Sequence, residues 1–600
     1  MFKKVTLPAL LLYTFSFIAT AQQKILDSTW VRCYGGSAAE APGFAFSNNG
    51  SPQIGFAVAP NGNIYVVTHS LSNDGLVKQN KGDEDIWIVK LTPNGDTIWS
   101  KIYGGTGLER AGDIKIFPNG DLVVVGRTKS NNGDFIGNKG DSDGLVMRLD
   151  SNGVIKWYRQ YGGSGIENLY DVVIIDNNRL VVVGETSSGD GDLTFVPVAQ
   201  GEAWILILNA NNGAIVWQRV TAGPRQPNDS DYLENFWSVV KCADNSGYVA
   251  VGTEGHFTFL NTDNIFVVKY SNTGVKLWEK SIGSNDQDWV AQIIEMNNKL
   301  YVLGQVRANN GNVSGYIGNG DFWLAILDSA GNILSQRCYG GNGVDDPLGM
   351  SITPDNKLLL FGRTQSTNLM ASKSSFGGFD AWGVIVEPSN GDTIQTIRFG
   401  GSGAEGVHQA IFIPNHLLMV GRTNSLNAYF PDNSGSTDAF IAKFETCYPP
   451  APSITQSADT LFTPFVAGVE TYNWYLNGNL ISSTNVPFLV VSQAGNYTVE
   501  TQKGFCVSPL SNSFAVTSLA KNYLAKFVQI YPNPIVAEMT IHTELTATFQ
   551  VLDITGKNVL PTTTVTAGTH AVNMQQLPSG IYFVRLQTEK GVMTQKVIKK

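Results

Sequence analysis

The sequence predicts an all-β chain: a seven-bladed β-propeller closed by its own N-terminal strand, followed by two small β-sandwiches. Three observations predict it. A phrase of about sixty residues recurs, the mark of a modular array. Each copy holds four short apolar runs separated by turn residues, and four antiparallel strands per unit make a propeller blade. One strand-like segment near the N-terminus lacks a unit of its own, and the last unit lacks one strand.

Residues 1–21 read as a secretory signal. Lys3 and Lys4 form the charged start, Val5–Ile18 the apolar core, and Ala19-Thr20-Ala21 a small-residue cleavage site before Gln22. That core is too short for a membrane span. Net charge is −9 with the signs interspersed, so no basic patch points to nucleic acid.

Residues 22–446 are the propeller. Its clearest copy starts at Trp99, with runs at about Asp113–Phe117, Leu122–Arg127, Leu145–Leu149 and Val154–Tyr161. Call these strands a, b, c and d. Pro118-Asn-Gly and Ser151-Asn-Gly are tight hairpin turns. The a-b-c set occurs seven times, with b strands ending near Thr68, Gly126, Gly184, Gly252, Gly304, Gly362 and Gly421. After the seventh c strand, Ala439–Phe444, no d strand follows. Thr29–Tyr34 matches Trp99–Tyr103 and precedes the same Gly-Gly pair, so it is expected to complete the seventh blade. Closure removes the open sheet edges of a linear array.

Residues 447–518 hold Cys447, Trp474 and Cys506 in that order among short strands. This is the pattern of an immunoglobulin-like sandwich, and a Cys447–Cys506 disulfide suits an exported chain. The other cysteines, Cys33, Cys242 and Cys338, fall on propeller strands and read as small buried hydrophobes.

After a linker at 519–526, residues 527–600 contain Tyr531-Pro-Asn-Pro, then Gln550-Val-Leu-Asp-Ile-Thr-Gly-Lys-Asn-Val, then Leu577-Pro-Ser-Gly-Ile-Tyr-Phe-Val-Arg-Leu. They end in Lys-Val-Ile-Lys-Lys. On the residues alone this is another small β-sandwich. With all three blocks in order, it resembles the C-terminal sorting domain of type IX secretion cargo. The resemblance implies export through the periplasm and handling by the type IX machinery. It also implies removal of the domain, with release or attachment to surface lipopolysaccharide. The Ser130-Asn-Asn-Gly-Asp and Gly137-Asn-Lys-Gly loops resemble repeats common in such cargo, which supplies no activity.

Long d-to-a and b-to-c loops share one face of a propeller, and binding residues concentrate on long loops of a rigid scaffold. Two acidic series recur there. Glu40, Glu109, Glu167, Asp288, Asp345 and Glu405 follow the Gly-Gly turns and are candidates for a ligand-facing ring at the channel mouth. Asp85, Asp143, Glu202, Asp263, Asp321, Asp380 and Asp438 precede the c strands. A carboxylate repeated in every unit also suits a turn-holding role. The oxygen-rich loop with Asp134, Asp141 and Asp143 offers calcium ligands without EF-hand spacing. No other cofactor is indicated. His69, His256 and His408 fall on candidate loops of separate repeats, and no catalytic motif is present. These features favour a secreted or surface binding scaffold for a polysaccharide or protein ligand. The alternative is a carbohydrate-active hydrolase using acids of the loop-rich face.

Overall fold

The computed structural model describes residues 25–41, 54–193, 201–221, 232–256, 263–369, 375–446, 451–457, 459–466, 469–503, 506–517, 524 and 527–600. The signal segment with Ala21 and Gln22, and Cys447, lie outside them. So does the side chain of Cys506, so the expected disulfide falls outside the described residues. Cys33, Cys242 and Cys338 are free thiols. Cys242 and Cys338 are buried and Cys33 is half-buried. Two compact units emerge, Ile25–Glu445 and one that takes in Thr446–Lys600.

The first unit is built of seven four-stranded sheets. In the second of them, Glu109–Ile116, Leu122–Thr128, Asp143–Leu149 and Ile155–Tyr161 pair antiparallel in chain order. Gly120 closes the first hairpin and Gly153 the last, at φ of 84° and 74°, the left-handed region that favours glycine. The seventh sheet consists of Glu405–Ile413, His416–Thr423 and Asp438–Thr446, and its outer strand is the N-terminal Ile25–Tyr34. The a strands of successive sheets lie side by side around the unit, and Glu405–Ile413 returns against Gly55–Val58. This is a β-propeller whose inner strands form a closed ring.

Packing follows from that arrangement. The b and c strands have a neighbouring sheet on both faces, so Ile64–Ser70, Asp85–Leu91 and Asp143–Leu149 are buried at every position. Val67 and Ile88 of the first sheet share one core with Ile114 and Met147 of the second. The d strands line the rim and are only partly covered. Where the d strand ends in tyrosine, at Tyr34, Tyr103, Tyr161 and Tyr339, that residue bolts its sheet to the next. Tyr103 Oη donates to Gly153 O at 2.6 Å, Tyr339 Oη to Gly391 O at 2.6 Å, and Tyr34 Oη to Gly95 O at 2.8 Å. The recurring Tyr-Gly-Gly and Asn-Gly phrases are therefore two halves of one contact.

The second unit contains two sets of sheets. In the first set, Thr471–Leu476 and Gly495–Lys503 pair antiparallel and enclose the fully buried Trp474 with Leu461, Tyr472 and Tyr497. In the second, Ala547–Leu552, Gly580–Thr588 and Gly591–Lys599 pair in that order over a core of Ile541, Val551, Val584 and Val597. Leu524, within the expected linker, is buried in that same core. Arg585 Nη2 donates to Ser457 Oγ at 2.8 Å, and Phe488 meets Phe583 edge-on at 4.2 Å. Among the described residues no helix is long and apolar enough to cross a membrane.

Candidate functional site

Apart from the half-buried Asp263, neither acidic series is exposed to solvent. Glu40, Glu109, Glu167, Asp288 and Asp345 are 0% exposed and Glu405 is 1% exposed. Glu109, Glu167, Asp345 and Glu405 are the first residues of their a strands. Their carboxylates turn back under the preceding Gly-Gly. Gly105 N donates to Glu109 at 2.9 Å, Gly163 N to Glu167 at 3.1 Å, Gly341 N to Asp345 at 2.9 Å and Gly401 N to Glu405 at 2.7 Å. The hydroxyl ending the b strand donates to the other oxygen, as Thr128 does to Glu109 at 2.7 Å and Ser70 to Glu40 at 2.8 Å. The six candidates thus tie turns together beneath the surface.

The oxygen-rich loops are occupied in the same way. Ser130 Oγ accepts from Gly107 N at 2.9 Å and Asn132 Oδ1 from Thr106 N at 2.8 Å. Asp134 accepts from Gly104 N at 3.0 Å and pairs with Lys81 of the preceding sheet. Lys139 repeats that latch with Asp192 of the following sheet. Asp141 pairs with Lys129 at 2.9 Å, and the buried Asp143 accepts from Lys139 N at 3.2 Å. Among the described residues, no three His, Cys, Asp or Glu side chains converge as a metal site would need. His69 and His408 are strand residues, not loop residues, and the side chain of His256 lies outside the described residues.

Polar and aromatic side chains also face an open space inside the ring. A cavity of about 520 Å³ runs along the central channel, lined by a strands of all seven sheets. A one-residue bulge recurs in six a strands, skipping Gly112, Tyr170, Trp237, Ala291, Leu348 and His408. A bulge re-aims the extra side chain, and the last five of these residues line the cavity. Tyr170 and Trp237 stack at 4.1 Å, with 27° between their planes. The next residue along forms a structural belt. Asp171 accepts from Val239 N at 2.9 Å and Ser238 Oγ at 3.1 Å. Gln409 accepts from Phe56 N at 2.8 Å and donates to Asp113 at 3.0 Å.

Beside the aromatic pair sits Glu185, which accepts from Tyr170 Oη at 2.8 Å and from Asn168 Nδ2. Asn168 Oδ1 in turn accepts from Arg127 Nη1 at 2.9 Å. Asn235 Oδ1 accepts from Thr253 N at 3.1 Å, while the Thr253 hydroxyl, buried in the same wall, has no partner among the described residues. Burial raises the Glu185 pKa and lifts that of Asp171 to about 6. Burial opposes the Lys115 charge, but Asp113 and Asp171 together raise its pKa, so the ammonium persists. Burial, then Arg422 and Arg363, hold His408 well below the usual imidazole range, so that ring is neutral.

Sequence reasoning missed this constellation. For Glu185 the signal was variation at one column of the repeat: the residue before the last b-strand hydroxyl is His69, Arg127, Glu185, Arg363 or Arg422 in different copies.

Residues 529–600 match the secretion system C-terminal sorting domain family. The chain is therefore type IX secretion cargo, bound for the outer cell surface or the medium. No curated protein matches the sequence. Structural neighbours include BamB from Moraxella catarrhalis, at 13% identity and a TM-score of 0.34, covering 70% of this chain and 99% of that one. The Neurospora crassa Pan2 WD40 domain shows 8% identity and a TM-score of 0.38, covering 70% and 96%. The polysaccharide lyase Uly1 shows 8% identity and a TM-score of 0.37, covering 70% and 99%. Likenesses this distant say nothing of function.

Proposed function

We propose that this type IX cargo is a secreted or surface-held seven-bladed propeller that binds a glycan segment in its central channel. In this reading the immunoglobulin-like module acts as spacer and the sorting domain as export signal. The observation that carries it is the group of Tyr170, Trp237, Glu185, Asn235 and Thr253 on one side of the cavity. Pockets that bind small polar ligands combine apolar walls with a few convergent polar groups. An aromatic face covers the C–H side of a sugar ring, while carboxylate, amide and hydroxyl groups bond its hydroxyls. Each of these five residues differs from its counterpart in the second repeat, as binding requires and structural repetition does not. Glu185 and Asp171 line the same cavity with pKa values raised by burial, which favours glycoside cleavage as the second reading. The test is a glycan screen with the full chain, read by tryptophan fluorescence and by product release. Saturable binding that Trp237→Ala abolishes supports the proposal. Binding that this substitution leaves intact places the ligand elsewhere, and released product makes the protein an enzyme.

A further inference from the structure

The two acidic series meet in pairs beneath the Gly-Gly turns. A methyl group on Gly104 would fall 1.8 Å from Asp85 Oδ1 and 2.6 Å from Glu109 Oε2. On Gly35 it would fall 2.2 Å from Glu40 Oε2 and 2.7 Å from Asp438 Oδ1. On Gly162 it would fall 2.0 Å from Glu167 Oε2 and 3.2 Å from Asp143 Oδ1. On Gly340 it would fall 2.3 Å from Asp321 Oδ1 and 2.7 Å from Asp345 Oδ2. Each of these glycines follows the outer strand of one sheet and leads into the inner strand of the next, so each pair straddles a joint of the ring. All eight carboxyl residues are 0% exposed. Glu40 Oε2, Asp85 Oδ1, Asp143 Oδ1, Asp321 Oδ1 and Asp438 Oδ1 are buried with no hydrogen-bond partner among the described residues.

Two ionised carboxylates side by side in a buried joint repel strongly, whereas a carboxyl and a carboxylate sharing one proton do not. That proton also supplies the missing partner of an otherwise orphaned oxygen. We propose that each of these four joints is clasped by one proton held between its two carboxyls, so that the ring takes up protons as it folds and loosens in alkaline medium.

The charged surroundings favour the clasp. Lys81 and Lys139 face the Asp85–Glu109 and Asp143–Glu167 pairs, but their ammonium groups pair with Asp134 and Asp192. Around Glu40–Asp438 stands the Cys33 thiol, with Asp432 beyond it. Asp321–Asp345 is faced by Asp346, Tyr316 and Cys338. Burial is the largest cause raising Glu40 to about 8, Asp321 to about 7, and Asp85 and Asp143 to about 6. Folded values above the unfolded ones mean stability that is complete below about pH 4 and is lost as pH rises through 6 to 8. A fifth joint is a built-in control. Asp380 and Glu405 flank Gly400 in the same way, but Arg398 Nε donates to Asp380 Oδ2 at 2.8 Å and the guanidinium Nη2 lies 2.6 Å from the same oxygen, supplying the countercharge.

The experiment follows chemical denaturation of the full chain from pH 5.5 to 8.5. The folding constant of the propeller is expected to fall by up to about tenfold per pH unit for each joint that releases its proton. A flat or rising profile overturns the proposal. Asp85→Asn and Asp321→Asn put an amide N–H where the proton sat. Each should match wild type at pH 5.5, exceed it at pH 8.5, and flatten the slope. Equal losses at both pH values overturn the clasp. Asp380→Asn strands Arg398, so it should weaken the protein throughout without changing the slope. If the amide variants fail to fold, infrared spectra of wild type decide. A protonated-carboxyl band present at pH 6.5 and lost on unfolding supports the clasp, and its absence refutes it.

Discussion

Replacing Tyr34 by alanine tests whether the N-terminal strand is a structural member of the ring. Tyr34 is 5% exposed, packs with Ile54, Val66 and Trp87 of the first sheet, and donates to Gly95 O at 2.8 Å. Truncating a buried aromatic to alanine costs about 3–5 kcal/mol, and the hydroxyl bond adds about 1 kcal/mol. The nearby Arg32–Asp96 pair is largely exposed and contributes little. Unfolding entropy scales with length, so a unit spanning Ile25–Glu445 loses about 1 °C of Tm per kcal/mol. Tyr34→Ala should therefore lower the Tm by about 4–6 °C, and Tyr34→Phe by about 1 °C. Tyr103 is the matched control: it is 5% exposed and donates to Gly153 O at 2.6 Å across the next joint, where chain continuity is not in question. Scanning calorimetry should give Tyr34→Ala and Tyr103→Ala the same loss. A full loss for Tyr103→Ala with none for Tyr34→Ala would refute closure by this strand.

Other outcomes follow from the same contacts. Deleting Thr29–Gly36 should uncover the edge of Asp438–Thr446 and yield concentration-dependent aggregation, read by light scattering. Non-reducing peptide mapping of secreted protein should recover Cys447 joined to Cys506, with Cys33, Cys242 and Cys338 alkylated as free thiols. Millimolar chelator should leave the Tm unchanged, because Asp134 and Asp141 are already paired with Lys81 and Lys129. Removing 527–600 should strand the propeller in the periplasm, as fractionation and immunoblotting would show.

Much of the architecture was legible because the repeat carries it. The match of Thr29–Tyr34 to Trp99–Tyr103 discloses the closing strand from the sequence alone. The acids were harder to place. A carboxylate four residues after a Gly-Gly pair reads as a loop residue, yet Glu109 begins a strand and is sealed by Thr128 and Gly105. Its burial depends on a turn folding back over it, which local spacing does not encode. The channel site was hidden for another reason. Alternation in strands has period two, and the bulges at Tyr170 and Trp237 break it, so an aromatic that faces open space reads as an ordinary core residue.

The central claim is that the channel wall at Tyr170 and Trp237 holds the ligand. The most direct measurement is titration calorimetry of the best glycan from the screen against wild type, Trp237→Ala and Tyr170→Phe. Removing an aromatic platform should abolish detectable heat. Tyr170→Phe keeps the stack but frees Glu185 from its 2.8 Å partner, and should change affinity by about tenfold, the worth of one such hydrogen bond. Unaltered binding in both variants, with the fold intact, would contradict the account.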